Sequence, residues 1–238
     1  MSTANKQGIY SGVDNLEVMA SAHNYNKFLT ELAYGVSSKR EGEKLEVLDF
    51  GAGSGTFCSS LSKLGLNIIC VEPDKKLRES LIENGFICYE NIHEITDGSV
   101  DYIYSFNVLE HIEDDASAVS EIYRVLRPGG IILLYLPAFQ CLFSAMDIKV
   151  GHFRRYRRKQ LEAVVSRAGF VTTRSEYVDS LGFFAALLYR YVGDSEGDIN
   201  AKSLALFDKY VFPLSRLADV LFNKWFGKNV LVVACKHV

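Results

Sequence analysis

The sequence predicts an α/β fold, a Rossmann-like and mainly parallel sheet with helices on both faces. Apolar strand-like runs alternate with helix-like stretches from residue 45 onward, which is the pattern of a doubly wound sheet. A cluster of glycines directly follows the first apolar run, where such folds turn from strand to helix. The 238 residues are 48% apolar and 23% charged, as expected for one globular domain with a sizeable core.

The elements follow one another in regular order through the first part of the chain. A helical segment is predicted over 14–38, ahead of the first strand. The next elements are strands near 45–50, 67–71, 86–89, 100–106 and 131–136, with helices near 56–64, 74–84 and 114–126. A helix at 158–169, ended by a glycine, leads to a sixth strand at 170–178, and a seventh strand follows at 229–236. Seven strands within a single domain, 1–238, are therefore expected.

Residues 179–228 form an unusually long connection and are predicted to be a helical insertion. The polar stretch GDSEGD (193–198) divides it into two helical pieces. Its second half is either a lid packed over the active site or a surface for lipid, membrane or a partner chain. Its apolar stripe steps by three and four residues, as one face of a helix does, through Phe207, Tyr210, Leu214, Leu217, Leu221 and Trp225.

Charge and cysteine content exclude several classes of protein. The net charge of −3 and a pI near 6.0 argue against general nucleic-acid binding. No secretory signal and no apolar run of transmembrane length is evident, so a cytoplasmic location is expected, with peripheral membrane contact left open. The five cysteines are scattered and form no metal-ligand spacing with histidine, so no metal site is predicted.

The segment LEVLDFGAGSG (45–55) indicates a nucleotide-like ligand. A glycine turn at the carboxyl edge of a parallel sheet lets a ligand approach the backbone and the following helix N-terminus. Glu72, just after the second strand, is placed to hold both hydroxyls of a ribose. An acid that only stabilises the helix start beside Pro73 is the alternative interpretation.

Four motifs in this order, LDFGAGSG, VEPD, FNVLEHIED and LRPGG, resemble a class I S-adenosylmethionine-dependent methyltransferase of the type 11/12 kind. The resemblance covers roughly residues 45–137. It implies a seventh strand that is antiparallel and lies between the fifth and sixth. It also implies S-adenosylmethionine as cofactor and S-adenosylhomocysteine as product.

The resemblance carries roles over to matching positions. Glu72 would hold the ribose, and Tyr25, in the segment MASAHNYNKF, would fold over the cofactor unless it only packs in the core. Glu110 and Asp114 are expected to organise a helix start rather than to bind directly, and His111 has packing or capping as its alternative role. The other implied contacts are Asp49, Gly51, Gly53 and Gly55 at the amino-acid end, Asn91 and Ile92 at the adenine, and Asn107, Val108 and His111 beside the cofactor.

The segment after the fifth strand is the expected acceptor site. Its G-H-x-R-R-Y motif resembles a bacterial subgroup that accompanies glycosyltransferases and polysaccharide or secondary-metabolite enzymes. His152 is the predicted general base, with Asp147 to orient it or to accept a proton itself. Arg154, Arg155 and Tyr156 are the predicted substrate contacts, although the arginines could instead pair with acids and hold the loop.

The sequence thus predicts a methyltransferase that acts on oxygen of a small-molecule or glycan-like acceptor, acidic or lipid-linked. A non-catalytic S-adenosylmethionine-binding accessory protein, docked on a glycosyltransferase through residues 179–228, is one alternative. A nicotinamide-dependent oxidoreductase is another, disfavoured by the G-x-G-x-G spacing and by the NVLEH and LRPGG segments. The sequence predicts neither the identity of the acceptor nor the oligomeric state.

Overall fold

The computed structural model describes residues 18–37, 44–192 and 200–237, which contain one seven-stranded sheet. The strands are β1 (Glu46–Phe50), β2 (Asn67–Val71), β3 (Ile87–Tyr89), β4 (Val100–Phe106), β5 (Leu126–Pro137), β6 (Phe170–Val178) and β7 (Asn229–Lys236). Their order is β3-β2-β1-β4-β5-β7-β6, and β7 is antiparallel to both of its neighbours. The predicted fold class is confirmed, including the placement of the seventh strand.

The helices cover both faces of this sheet. They are α1 (His23–Ser37), α2 (Thr56–Lys63), α3 (Lys75–Glu83), α4 (Asp115–Val125), α5 (Ala145–Lys149), α6 (Arg158–Arg167), α7 (Ser180–Val192), α8 (Ala201–Leu206) and α9 (Phe212–Phe222). A π-helical turn, Phe207–Val211, joins α8 to α9, and α7 to α9 all lie between β6 and β7. The predicted polar break at 193–198 and residues 14–17 and 38 of the predicted first helix lie outside the described residues.

The centre of the sheet is the most deeply buried part of the chain. Every residue of β4 is buried, as is the run Ile132–Pro137 of β5. These strands read as continuous apolar runs because helices cover both of their faces. Two apolar clusters result, one on each face of the sheet.

The fifth strand begins earlier than predicted, at Leu126 instead of residue 131. The register with β4 jumps between Val100 and Tyr102, whose partners are Leu126 and Ile131. The Pro-Gly-Gly residues are therefore accommodated as an irregularity inside the strand, and not as a turn before it.

Helix α9 and the preceding π-helical turn place most of the apolar stripe on the outside of the protein. The exposed fractions of Tyr210, Leu217 and Trp225 are 56%, 71% and 66%. The buried face consists of Asp208, Phe212, Ser215 and Asp219. Apolar periodicity identified the stripe but left open whether it packs inward or lies on the surface.

Candidate active site

A cavity of about 1130 Å³ lies at the carboxyl ends of the parallel strands. Its walls come from the glycine loop, from the ends of β2 and β4, and from helices α7 and α8. This is the edge at which open α/β sheets bind their ligands. The cavity is therefore the candidate functional site.

The glycine loop adopts backbone conformations that suit glycine. Gly51, Gly53 and Gly55 have φ angles of 85°, 55° and 83°. A Cβ on Gly51 would lie 2.3 Å from a methyl carbon of Val108, whereas a Cβ on Gly53 would meet no atom within 4 Å. Gly51 is thus required by internal packing, and Gly53 leaves its space open to the cavity.

Two buried acids line the cavity beside this loop. Glu72 Oε2 accepts the Gly53 N–H at 2.8 Å, and Oε1 accepts the Asp74 N–H at 2.9 Å. Asp49 Oδ2 accepts the Tyr104 hydroxyl at 2.8 Å. Burial raises the pKa of Asp49 to about 7 and also raises the pKa of Glu72. Because the carboxylates lack a buried cationic partner in these contacts, this end of the cavity suits a positively charged ligand.

Tyr25 and Asn107 form the opposite wall. The Asn107 amide Nδ2 lies 3.4 Å from the Tyr25 hydroxyl, and Asn107 has a φ of 54°. The Tyr25 ring packs edge-on against Phe212 and Tyr135, with centroids 5.5 and 6.1 Å away. Tyr25 is therefore a core aromatic that also lines the cavity, and its contact with the cofactor stays a prediction.

Asn91 and Ile92 lie after β3 but are not in the cavity lining. Asn91 caps the short 3-10 turn that follows it, accepting the His93 N–H at 3.1 Å, and Ile92 is buried in the core. Their contact with the adenine stays a prediction from the resemblance. Val108 and His111 do line the cavity.

Asp147 and His152 form a close pair in the segment after β5, and His152 of this pair lines the cavity. His152 Nδ1 lies 2.7 Å from Asp147 Oδ1, and Asp147 is fully buried. Burial alone would raise the pKa of Asp147, but hydrogen bonds from His152 and Arg155 lower it to about 2. An ionised Asp147 favours a proton on Nδ1, so the Nε2 atom is the proton acceptor.

Glu110 lies behind the two cavity histidines and was not predicted to belong to the site. Both of its carboxylate oxygens are buried with no hydrogen-bond partner, and Oε1 lies 3.8 Å from His152 Nε2. Burial raises the pKa of Glu110 to about 8, whereas burial and the neighbouring His152 lower that of His111 to about 4. The ligating atoms of Glu110, His111 and His152 lie within 4.8 Å of one another, which is close enough to hold one cation.

The three predicted acceptor contacts do not act together at the cavity. Arg155 lines it, but its Nε and Nη2 atoms donate to Asp147 at 2.8 and 2.9 Å. Arg154 lies outside the cavity lining and pairs with Asp115 at 2.9 Å, and the Tyr156 hydroxyl donates to the same carboxylate at 2.7 Å. The polar atoms of Arg154 and Tyr156 thus hold the loop, and their contact with the acceptor stays a prediction.

Lys228 is a cavity residue that the sequence analysis missed. Burial lowers the pKa of its ammonium, and the nearby Asp179 opposes that shift. Lys228 directly precedes β7, 76 positions after His152, so no local spacing connects the two. The lysine of the FGKN segment gives no signal of its own because a single lysine is usually a solvated surface residue.

Comparisons with known proteins agree with this geometry. Residues 48–134 match the family model of a methyltransferase domain. A probable S-adenosylmethionine-dependent methyltransferase of Mycolicibacterium smegmatis is 30% identical over 149 residues, which are 58% of this chain and 55% of that protein. A ubiquinone biosynthesis O-methyltransferase of Colwellia psychrerythraea is 29% identical over 110 residues, 41% of this chain and 44% of that protein. The chain thus spans about half the length of the curated relatives it matches.

A solved structure shows the same fold across nearly the whole chain. Phosphoethanolamine N-methyltransferase 2 of Haemonchus contortus, in complex with S-adenosyl-L-methionine, superposes with a TM-score of 0.64 at 19% identity. The superposition covers 99% of this chain and 62% of that one. At this identity the likeness shows the fold alone.

The strand order, the glycine loop and the acid after β2 define a nucleotide-binding α/β protein of the Rossmann-like type. Together with the match of residues 48–134 to a methyltransferase domain, they make the chain similar to the class I S-adenosylmethionine-dependent methyltransferases. The residues present fit the cofactor of that class. The open space at Gly53 leaves room for the ligand, the buried acid Asp49 suits its positively charged amino-acid end, and Glu72 suits the ribose hydroxyls.

Proposed function

We propose that this protein transfers a methyl group to oxygen of a small-molecule or glycan-like acceptor. The observation that carries the proposal is the Asp147–His152 pair in the wall of the cavity that contains the glycine loop. The family match supports methyl transfer, and the ordered imidazole supports an acceptor that must lose a proton, as a hydroxyl does.

The bound cofactor supplies a methyl group that is already activated on a sulfonium, so the protein mainly has to position the acceptor and exclude water. In the proposed arrangement Glu72 and the Gly53 backbone hold the ribose and amino-acid portions. His152 Nε2 takes the proton of the acceptor hydroxyl as its oxygen is methylated. Asp147, already ionised, stabilises the imidazolium that forms.

An anionic group on the acceptor would find a cation in the cavity. Lys228 takes over the role assigned to Arg154 from the sequence, because it lines the cavity while Arg154 does not. Burial there weakens the hydration of the ammonium and strengthens its attraction for a carboxylate or phosphate. This supports an acidic acceptor, such as a sugar acid or a lipid-linked sugar phosphate.

The cluster of Glu110, His111 and His152 favours a second way to remove the proton of the acceptor hydroxyl in the same reaction, with the help of a bound divalent cation. A divalent cation held there would lower the pKa of a coordinated acceptor hydroxyl and would occupy His152 Nε2. The two paths differ in their response to a chelator. The purely protein-based path keeps full turnover in excess EDTA, whereas the cation path loses turnover and regains it with Zn²⁺, Mn²⁺ or Mg²⁺.

The proposal is tested first by calorimetric titration with S-adenosylhomocysteine, S-adenosylmethionine and NAD, using the wild type and Glu72→Gln. We expect the first two to bind the wild type and to bind the variant at least tenfold more weakly. A screen with radiolabelled methyl donor and acidic or lipid-linked sugars then tests the transfer. Binding of NAD alone would indicate an oxidoreductase, and cofactor binding without any labelled product would support the accessory role.

A further inference from the structure

The outward surface of the region between β6 and β7 is unusually apolar for a globular protein. Val220, the most exposed of its large apolar side chains, is 77% exposed. We call this surface the α8–α9 face and define it by Leu206, Tyr210, Leu214, Leu217, Val220, Leu221, Phe222 and Trp225, all of which are exposed. Contiguous apolar residues of this kind mark an interaction site.

The side of the same segment that packs against the protein is polar. Asp208 Oδ2 and Oδ1 accept the backbone N–H groups of Asn24 and Tyr25, both at 2.9 Å. Asp219 accepts the backbone N–H groups of Asp179 and Ser180 at 2.9 and 2.8 Å. Each aspartate thus satisfies the start of another helix, α1 or α7, which fixes the segment with its apolar side outward.

Because both aspartates face inward, the exposed charges beside the α8–α9 face are positive. Asp208 and Asp219 are the only acids in residues 200–226, which the structure describes throughout, and both are buried. Lys202, Lys209 and Lys224 are exposed. The face therefore combines apolar side chains with positive charge, although the whole chain has a net charge of −3. A partner that complements it is apolar and anionic.

The candidate active site opens beside this face. Leu204 of α8 and Phe207 of the π-helical turn line the cavity, and so does Leu188 of α7, which is 62% exposed. The neighbouring α7 side chain Tyr191 is 75% exposed. Apolar side chains of the same segments thus line the cavity that holds His152.

We propose that the α8–α9 face docks this protein on an anionic phospholipid bilayer, parallel to the membrane surface. Lysines beside a patch of leucine, tyrosine and tryptophan side chains match the charge and polarity of the lipid headgroup region. No helix among the described residues is long and apolar enough to cross a membrane, so contact is peripheral for this part of the chain. Only the additional step, delivery of a lipid-linked acceptor into the cavity, rests on the proposed function.

The test is co-sedimentation of the full chain with large vesicles of phosphatidylcholine alone or with 30% phosphatidylglycerol, a composition set by the experiment. We expect binding to the mixed vesicles that exceeds binding to the neutral ones at least fivefold and weakens in 0.5 M NaCl. Lys209→Glu with Lys224→Glu should remove most of the bound fraction, and so should Leu217→Ser with Val220→Ser. Lys76→Glu with Ile82→Ser is the matched control, because both residues are exposed on α3, a helix of another part of the fold.

Thermal unfolding of each variant confirms that it is folded before its vesicle binding is compared. No sedimentation with mixed vesicles, or an equal loss in the control variant, overturns the proposal. A dimer in solution that Leu217→Ser with Val220→Ser dissociates, without vesicle binding by the wild type, assigns the face to a second copy instead. S-adenosylhomocysteine binding is measured without vesicles, so failure of the proposed function and failure of the membrane surface are separate results.

Discussion

Asp208 accepts the backbone N–H of Tyr25 at 2.9 Å, although the two residues are 183 positions apart in the chain. This bond joins the buried side of the segment that carries the α8–α9 face to the aromatic wall of the cavity. Asp208 is only 5% exposed, so its carboxylate has little access to water as an alternative hydrogen-bond partner. The segment that carries the α8–α9 face is therefore linked by a hydrogen bond to a residue of the cavity wall.

Replacement of Asp208 by alanine should weaken both stability and cofactor binding. Two N–H groups at the start of α1, of which that of Tyr25 is buried, would lose their acceptor, at a cost of about 1–3 kcal/mol in the free energy of unfolding. Because Tyr25 lines the cavity, the affinity for S-adenosylhomocysteine should fall as well. Chemical denaturation and calorimetry measure the two effects, and Glu83→Ala, at an exposed position, is the control. Unchanged stability would show that Asp208 does not hold α1.

Gly51→Ala and Gly53→Ala should separate folding from binding. Both positions have positive φ, so each alanine costs about 1–2 kcal/mol in strain. Only the Gly51 variant adds a clash, because its Cβ would lie 2.3 Å from a Val108 methyl group. We expect Gly51→Ala to lower the melting temperature more, and Gly53→Ala to remain folded with S-adenosylhomocysteine affinity reduced at least tenfold. Equal affinity in Gly53→Ala and the wild type would place the cofactor elsewhere.

Asp147→Asn should reduce stability in a pH-dependent way. The folded-state pKa of about 2 lies below the ordinary value of 3.8, so the stabilisation is present above the ordinary value and is lost as the pH falls through the folded one. The variant should be less stable by about 2 kcal/mol at pH 7, with the difference disappearing between pH 4 and pH 2. Denaturation at several pH values measures this, and a pH-independent difference would contradict the assignment.

The same pair should control turnover once an acceptor is found. His152→Ala removes the proposed proton acceptor and should lower kcat about 100-fold or more, while S-adenosylhomocysteine affinity changes little. Asp147→Asn should lower kcat less, because the imidazolium that forms then loses its partner carboxylate but the proton acceptor remains. Full turnover in His152→Ala would exclude the base role.

Glu110→Gln should stabilise the protein at alkaline pH. The folded-state pKa of about 8 lies above the ordinary 4.5, so the native state favours the protonated carboxyl and loses stability as the pH rises from about 4.5 to 8. The glutamine variant cannot ionise, so it should gain at least about 1 kcal/mol over the wild type at pH 8 and little at pH 4. If a bound cation neutralises Glu110, the gain appears only after chelation with EDTA.

Local signals in the sequence were sufficient for much of the fold and for one half of the site. The strands β1, β2 and β4 are apolar runs with helices on both sides, and the glycine loop and Glu72 lie within 22 residues of one another. The G-H-x-R-R-Y motif likewise placed His152 near Asp147, because five residues across a short helix keep the two within reach.

Contacts between distant parts of the chain could not be predicted in the same way. Glu110 joins His152 across 42 positions, and Lys228 reaches the cavity from the residue before β7. Arg154 and Arg155 are adjacent and chemically identical, yet one pairs with Asp115 outside the cavity lining and the other with Asp147 in its wall. The direction of the backbone at each position decides which acid each arginine contacts, and the residue type alone does not predict that direction.

The sequence by itself determined the class of fold, the cofactor loop and the presence of an apolar segment between the last two strands. Only the tertiary structure decided which side of that segment faces outward. Apolar periodicity identifies the apolar face of a helix, but it does not predict what that face contacts. Here Asp208 and Asp219 face inward because they accept hydrogen bonds from N–H groups at the starts of α1 and α7, which have no partner within their own helices. The leucines and Trp225 are left on the surface.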